Sequence, residues 1–166
     1  MFSKRLVSTL AAAVVALGLG AGTASAQTSD TATITYEVTA ITQINLNGSA
    51  SLQIVAGTPG GGLPSVTSTG VTYDITNNAG TGATKLIGSI NSAMPTATTL
   101  LVNVVAPSGA TSAGFVALTT TDQDLVTAIG NVNEAGVGMT FRLDATVAAG
   151  VVASAQKTFT MTVVVG

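Results

Sequence analysis

Between Gly138 and Gly166 the side chains alternate in character with a period of two, and no other feature limits the fold so strongly. Met139, Phe141, Leu143, Ala145 and Val147 fall on one side, with Thr140, Arg142, Asp144 and Thr146 on the other. After Ala148-Ala149-Gly150 the division returns, Phe159, Met161, Val163 and Val165 being separated by Thr158, Thr160, Thr162 and Val164. Successive strand side chains point to opposite faces, so this period describes two half-buried strands. The turn-prone Ala148-Ala149-Gly150 makes them an antiparallel closing hairpin, entered through a turn at Asn131 to Gly136. A hairpin with one apolar face needs a second sheet to cover it.

Upstream, the chain reads as further short strands cut by turn residues. Thr31 to Val38 alternates cleanly, with Ile34, Tyr36 and Val38 on one face and Thr33, Thr35 and Glu37 on the other. Ile41 to Leu46 and Ser51 to Val55 follow, joined through Asn47-Gly48, a pair suited to a two-residue hairpin because both positions tolerate positive φ. The match of Asn47-Gly48-Ser49 to a glycosylation acceptor is secondary to that turn. Gly57 to Pro64 is an exposed loop, read as a crossover between sheets; it lacks the Gly-Lys-Ser/Thr ending of a phosphate-binding loop.

Val71, Tyr73 and Ile75 mark the next strand, and Lys85 to Ile90 pairs with it as a hairpin across Asn77 to Gly82. Met94-Pro95 breaks the chain before Thr99 to Val105, which is apolar on both faces and expected to be central. Pro107 to Gly114 is a loop and Phe115 to Thr119 a short strand, while Leu125 to Ile129 is a strand or one helical turn capped by Asp122. Nine or ten short strands without an amphipathic helix predict an all-β fold, a single antiparallel β-sandwich of Greek-key, Ig-like type, with a closed barrel as the alternative.

Residues 1–26 stand apart. Lys4 and Arg5 precede an apolar run from Leu6 to Gly22, and Ala24-Ser25-Ala26 supplies small residues at the positions a signal peptidase reads. Cleavage is expected before Gln27, leaving 27–166 as one β-sandwich domain, exported to the cell surface, the medium or the periplasm without stable membrane insertion. The absence of cysteine fits a bacterial exported protein that stands on its core alone.

Three cations, Lys85, Arg142 and Lys157, face seven carboxylates in residues 27–166, a net charge of −4. Three scattered cations cannot neutralise a run of phosphates, which excludes nucleic acid as a partner. Threonine supplies the polarity instead, at 26 of those 140 positions, and its branched β-carbon suits strands.

Histidine, cysteine and tryptophan are all absent, which removes the usual general base, every thiolate mechanism and the commonest transition-metal ligands. A glycosidase would need two carboxylates beside aromatic platforms, but Tyr36, Tyr73, Phe115, Phe141 and Phe159 mostly alternate with polar residues and read as core. No enzyme and no cofactor is expected. Asp122-Gln123-Asp124 is the one acidic pair at ligand spacing; with Glu134 it could share calcium, though a solvated turn accounts for it as well.

The scarcity of charge bears on the sheet edges, which soluble β-proteins usually blunt with lysine or proline. The strand at 31–38 lies on the free end left by cleavage, where it either closes its own sheet or adds to a neighbour's. In the second case Ile34, Tyr36 and Val38 are the inserted side chains, and the hairpin face of Met139, Phe141, Phe159 and Met161 is the candidate acceptor floor.

A signal peptide followed by Thr35-Tyr36-Glu37-Val38, then Tyr73-Asp74-Ile75-Thr76, Met94-Pro95, Leu100-Leu101-Val102-Asn103-Val104, Ala106 to Gly114 and Asp124 to Ile129 resembles a loose group of small exported bacterial β-sandwich proteins. The chain is similar in character to secreted subunits that build surface filaments or biofilm-matrix fibres by strand donation, although it lacks the cysteine pair of chaperone-dependent pilins. The resemblance implies a structural protein that self-associates. The alternative is a monomeric secreted module binding carbohydrate or calcium through the loops at 57–64, 106–114 and 122–134.

Overall fold

The computed structural model describes residues 29–80 and 82–165, so the expected signal sequence and its cleavage residues Ala24, Ala26 and Gln27 lie outside it. The fold is all-β, with two antiparallel sheets. The first holds β1 (Thr42–Asn47), β2 (Val66–Asn77), β8 (Val132–Ala145), β4 (Thr98–Val104) and β6 (Phe115–Ala117), in that order across the sheet. The second runs β5 (Thr111–Ser112), β7 (Gln123–Ile129), β3 (Thr84–Ile90), β9 (Phe159–Val164). The sole helical element among the described residues is a 3-10 turn at Val147–Ala149.

Both sheets feed one core. Val71, Tyr73 and Ile75 of β2, Val102 and Val104 of β4, and Met139 and Phe141 of β8 meet Leu86 and Ile90 of β3, Leu125, Val126 and Ile129 of β7, and Met161 of β9. Each fully buried aliphatic side chain contributes about 1.5–3 kcal/mol relative to exposure. The alternation read at Val71, Tyr73 and Ile75 is the alternation observed, buried and half-buried residues succeeding one another from Val71 to Asn77, and β3 shows the same pattern along its length.

Pairing departs from the sequence reading in one systematic way. From β2 onward each strand belongs to the opposite sheet from its predecessor, so every connection from β2 to β9 crosses between sheets. The expected hairpin of 71–75 with 85–90 is therefore a crossover. The expected closing hairpin is one as well: β8 pairs with β2 and β4, while β9 pairs with β3. A turn does occur at Ala148 to Gly150, but residues 151–158 continue without regular structure before β9 begins. The stretch 132–136, expected as a turn, is already strand, and Gly130-Asn131 is all that separates β7 from β8.

The loop at 57–64 is exposed as expected but joins β1 to β2, neighbours in one sheet, and so is not a crossover. Asn47-Gly48 closes no hairpin either. Residues 51–55 form no ladder, although Leu52 packs against the core. Asn47 donates its amide to Asp74 Oδ2 at 2.9 Å, and Gly48, at φ +91°, passes so close to the Gly70 carbonyl that a β-carbon would sit 2.6 Å from its oxygen. Close backbone approach, not a two-residue turn, is what demands glycine there. β4 has neighbours on both sides, β8 and β6, but the middle of the sheet is β8.

Candidate functional site

The features most open to a partner are two strand edges and one unpaired segment. β6 and β5, at one end of each sheet, are three and two residues long, too short to template another strand. β1 and β9, at the other ends, are six residues each, with no charge and no proline in Thr42-Gln-Ile-Asn-Leu-Asn47 or Phe159-Thr-Met-Thr-Val-Val164. Charge and proline, two of the devices that normally block edge pairing, are thus missing from both strands.

The backbone pattern identifies which groups are free. Asn91 N–H donates to the Thr158 carbonyl at 3.0 Å, continuing the β3–β9 register in which Ser89 opposes Thr160 and Ile87 opposes Thr162. In an antiparallel ladder alternate pairs exchange hydrogen bonds, so Thr158, Thr160, Thr162 and Val164 turn their peptide groups toward β3. Phe159, Met161 and Val163 turn theirs outward, and no strand pairs with them on that side among the described residues. The same three side chains pack toward the core.

Residues 31–41 belong to neither sheet, so the strand expected at 31–38 is not part of a ladder. Ile34, Tyr36 and Val38 are 82%, 89% and 80% exposed. An alternating apolar row left in water is unusual, because a strand of this composition gains stability only by burying one face. Just ahead of β1 the backbone is held by one side chain: Asn78 Oδ1 accepts from the Ile41 amide, and its Nδ2 donates to the Thr39 carbonyl at 3.0 Å. The side chain of Asn78 thus extends the β1–β2 ladder by one rung. Nothing in the sequence singles it out from the turn residues around it, since its partners lie 37 and 39 residues away.

The expected acceptor residues are brought together, but differently. Phe141 and Phe159 meet edge to face with ring centroids 5.3 Å apart, one from each sheet. Met139, Phe141 and Met161 are buried, so they are interior packing and not an open groove floor; β8 is the centre of its sheet and offers no edge. The hairpin face fails because its two strands are in different sheets. What remains of the expected acceptor, without a ladder partner among the described residues, is the outer edge of β9.

The carboxylates considered for calcium do not converge. Lys85 Nζ pairs with Asp124 at 2.7 Å on β7, whereas Glu134 lies on β8 in the other sheet and accepts the Ser108 amide at 2.9 Å. Among the described residues no group of three acidic side chains could hold a metal ion. A shallow cleft of about 280 Å³ lies beside Met94, Thr98, Leu118 and Thr119, without a charged group in its lining. No helix among the described residues is long and apolar enough to cross a membrane.

Two carboxylates and one phenol serve the fold. Asp74 is held below its usual range by the Asn47 amide and by the Gly136 N–H, which donates at 2.8 Å where the β2–β8 ladder shifts register. Glu134 is lowered by the Ser108 hydroxyl and amide. Tyr73 is raised by burial and then by the charge of Glu134, and its hydroxyl donates to the Val105 carbonyl at 2.7 Å. Depressed carboxylates stabilise the fold above the ordinary carboxylate pKa of about 4, and that stabilisation is lost as pH falls through the folded values. A raised tyrosine stabilises it fully below about pH 10 and less as pH rises further. With no histidine in the chain, denaturation followed across pH should show an acid limb that weakens in Asp74→Asn and an alkaline limb that weakens in Tyr73→Phe.

No family model matches the chain, and neither a curated protein nor a solved structure matches it.

Proposed function

We propose that the chain is an exported, non-enzymatic structural protein whose two sheets form a Greek-key, Ig-like β-sandwich. It works at the cell surface as a filament, matrix or coat subunit and self-associates by β-strand addition through its N-terminal segment. One observation carries this reading: an alternating apolar segment, Ile34, Tyr36 and Val38, is exposed and unpaired in a chain with two uncharged six-residue edge strands. Main-chain hydrogen bonds would supply affinity and the alternate side chains specificity.

Electron microscopy of concentrated residues 27–166, with and without residues 27–38, tests it. Regular filaments are expected from the first protein and none from the second. The truncated protein should stay folded, because Ile34, Tyr36 and Val38 take no part in the core. Monodisperse particles in both samples would remove strand addition as the function.

A further inference from the structure

We propose that the acceptor is the outer edge of β9, taken by residues 33–38 of a second copy in an antiparallel register that sets Ile34 against Val163, Tyr36 against Met161 and Val38 against Phe159. This rests on the strand-addition reading above and names its partner surface.

Four edges are available, and length removes two of them, β5 and β6. Between β1 and β9 the side chains decide. The residues of β1 with free peptide groups follow from the Asn78 N–H bond to the Ile41 carbonyl, which places Thr42, Ile44 and Leu46 on the outer side. Of these only Ile44 packs against the core; Thr42 is polar and Leu46 is exposed. On β9 all three residues with free peptide groups, Phe159, Met161 and Val163, are apolar and packed on the core. A strand laid beside them continues that interior with a further apolar row, because directly opposed residues in an antiparallel pair share a face.

The incoming segment supplies the matching period. Ile34, Tyr36 and Val38 would face inward, while Thr33, Thr35 and Glu37 would join Thr160 and Thr162 in water. Three apolar residues against three fixes the overlap, and a slip by one residue would turn Glu37 and two threonines into the core. All ladders of the domain are antiparallel, and the added pair follows them.

This register makes Thr35 and Thr162 a pair that exchanges no hydrogen bond, with Cα atoms about 4.5 Å apart and both side chains on the wet face. That spacing lies within the span a disulfide bridges, and the chain has no cysteine to interfere. Thr35→Cys and Thr162→Cys proteins of residues 27–166 are mixed, concentrated and oxidised. A crosslinked heterodimer is expected, with no such product when Asn45→Cys on β1 replaces Thr162→Cys. Crosslinking to Asn45→Cys instead would overturn the choice of β9 while leaving strand addition standing. A disulfide closed within one chain of the double variant at high dilution would overturn addition between copies altogether.

Val163→Pro gives a second readout. Its amide faces away from β3, so proline removes no bond of the domain's own ladder but deletes one rung of the added one. Loss of filaments with a cooperatively folded monomer is expected; filaments that persist would overturn the β9 assignment. Should the proline variant not fold, the cysteine pair decides.

Discussion

Replacing Asn77 by aspartate should lower the stability of the domain by about 3 kcal/mol at neutral pH, more than replacing it by alanine, which should cost about 2 kcal/mol. Asn77 is 1% exposed at the end of β2. Its Nδ2 donates to the Gly130 carbonyl at 2.9 Å, and its Oδ1 accepts from the Thr42 hydroxyl at 2.9 Å. One side chain therefore ties edge strand β1 to the β7–β8 turn. Alanine leaves both partners unpaired. Aspartate keeps the acceptor but turns a carboxylate oxygen on the Gly130 carbonyl, burying a charge against a partial charge of the same sign. Burial raises the pKa of the new carboxylate, so its penalty is absent below about pH 4 and grows as pH rises through the folded value. The two variants, each referred to wild type at the same pH, should reverse order: by denaturant unfolding aspartate is the less stable at pH 7, and alanine is the less stable near pH 3.5, where a protonated carboxyl can again donate to the Gly130 carbonyl. Equal losses at both pH values would mean that volume, not hydrogen bonding, sets the role of Asn77.

This contact also shows what the sequence could and could not reveal. Asn77 lies in a run of turn residues, and a turn is what the local chemistry of Asn77 to Gly82 specifies. Turn residues report φ and ψ over a few positions; they do not report whether the next strand returns to the same sheet or crosses to the other. The alternation of Val71, Tyr73 and Ile75 was legible because the period of a strand is local, and all three are buried. Pairing was not, because it depends on which apolar faces meet across the whole domain. The stretches 71–75, 85–90, 99–105 and 159–164 are thus legible as strand to within a residue, whereas the connections of β2 to β3 and of β8 to β9, hairpins by local pattern, cross between sheets.

The candidate site divides along the same line. Alternation in residues 31–38 was visible, and so was the shortage of charge that leaves β9 unguarded. The freedom of one particular set of peptide groups was not visible, since it follows from the register of β9 on β3, residues some seventy positions apart. Asn78 was missed for the same reason, its partners Thr39 and Ile41 being distant in sequence. Met139 and Phe141 were drawn into the acceptor because their alternation matches that of Phe159 and Met161; burial in β8, the central strand, takes them out of it.

Gly80→Ala should destabilise the domain by about 3 kcal/mol, a fall in melting temperature of roughly 10 °C. The β2–β3 crossover here runs directly over the β7–β8 turn. A β-carbon on Gly80 would sit 2.4 Å from both the Gly130 carbonyl carbon and the Asn131 nitrogen, and 2.7 Å from Asn131 Oδ1. The first two are backbone atoms of a connection only two residues long, held between buried Ile129 and the start of β8, so neither can rotate aside. Relief requires the two connections to part. That would stretch the 2.9 Å bond from the Gly80 amide to Asn131 Oδ1 and weaken the neighbouring Asn77 contact to Gly130. Gly82→Ala is the control: no atom lies within 4 Å of its β-carbon, and its φ of +77° alone should cost about 1 kcal/mol. Thermal unfolding of the two variants separates steric contact from backbone conformation. If Gly82→Ala proved the more damaging, the crossover would owe its glycines to φ and not to its passage over the turn, and the Asn77–Gly130 contact would lose its explanation as part of one packed corner.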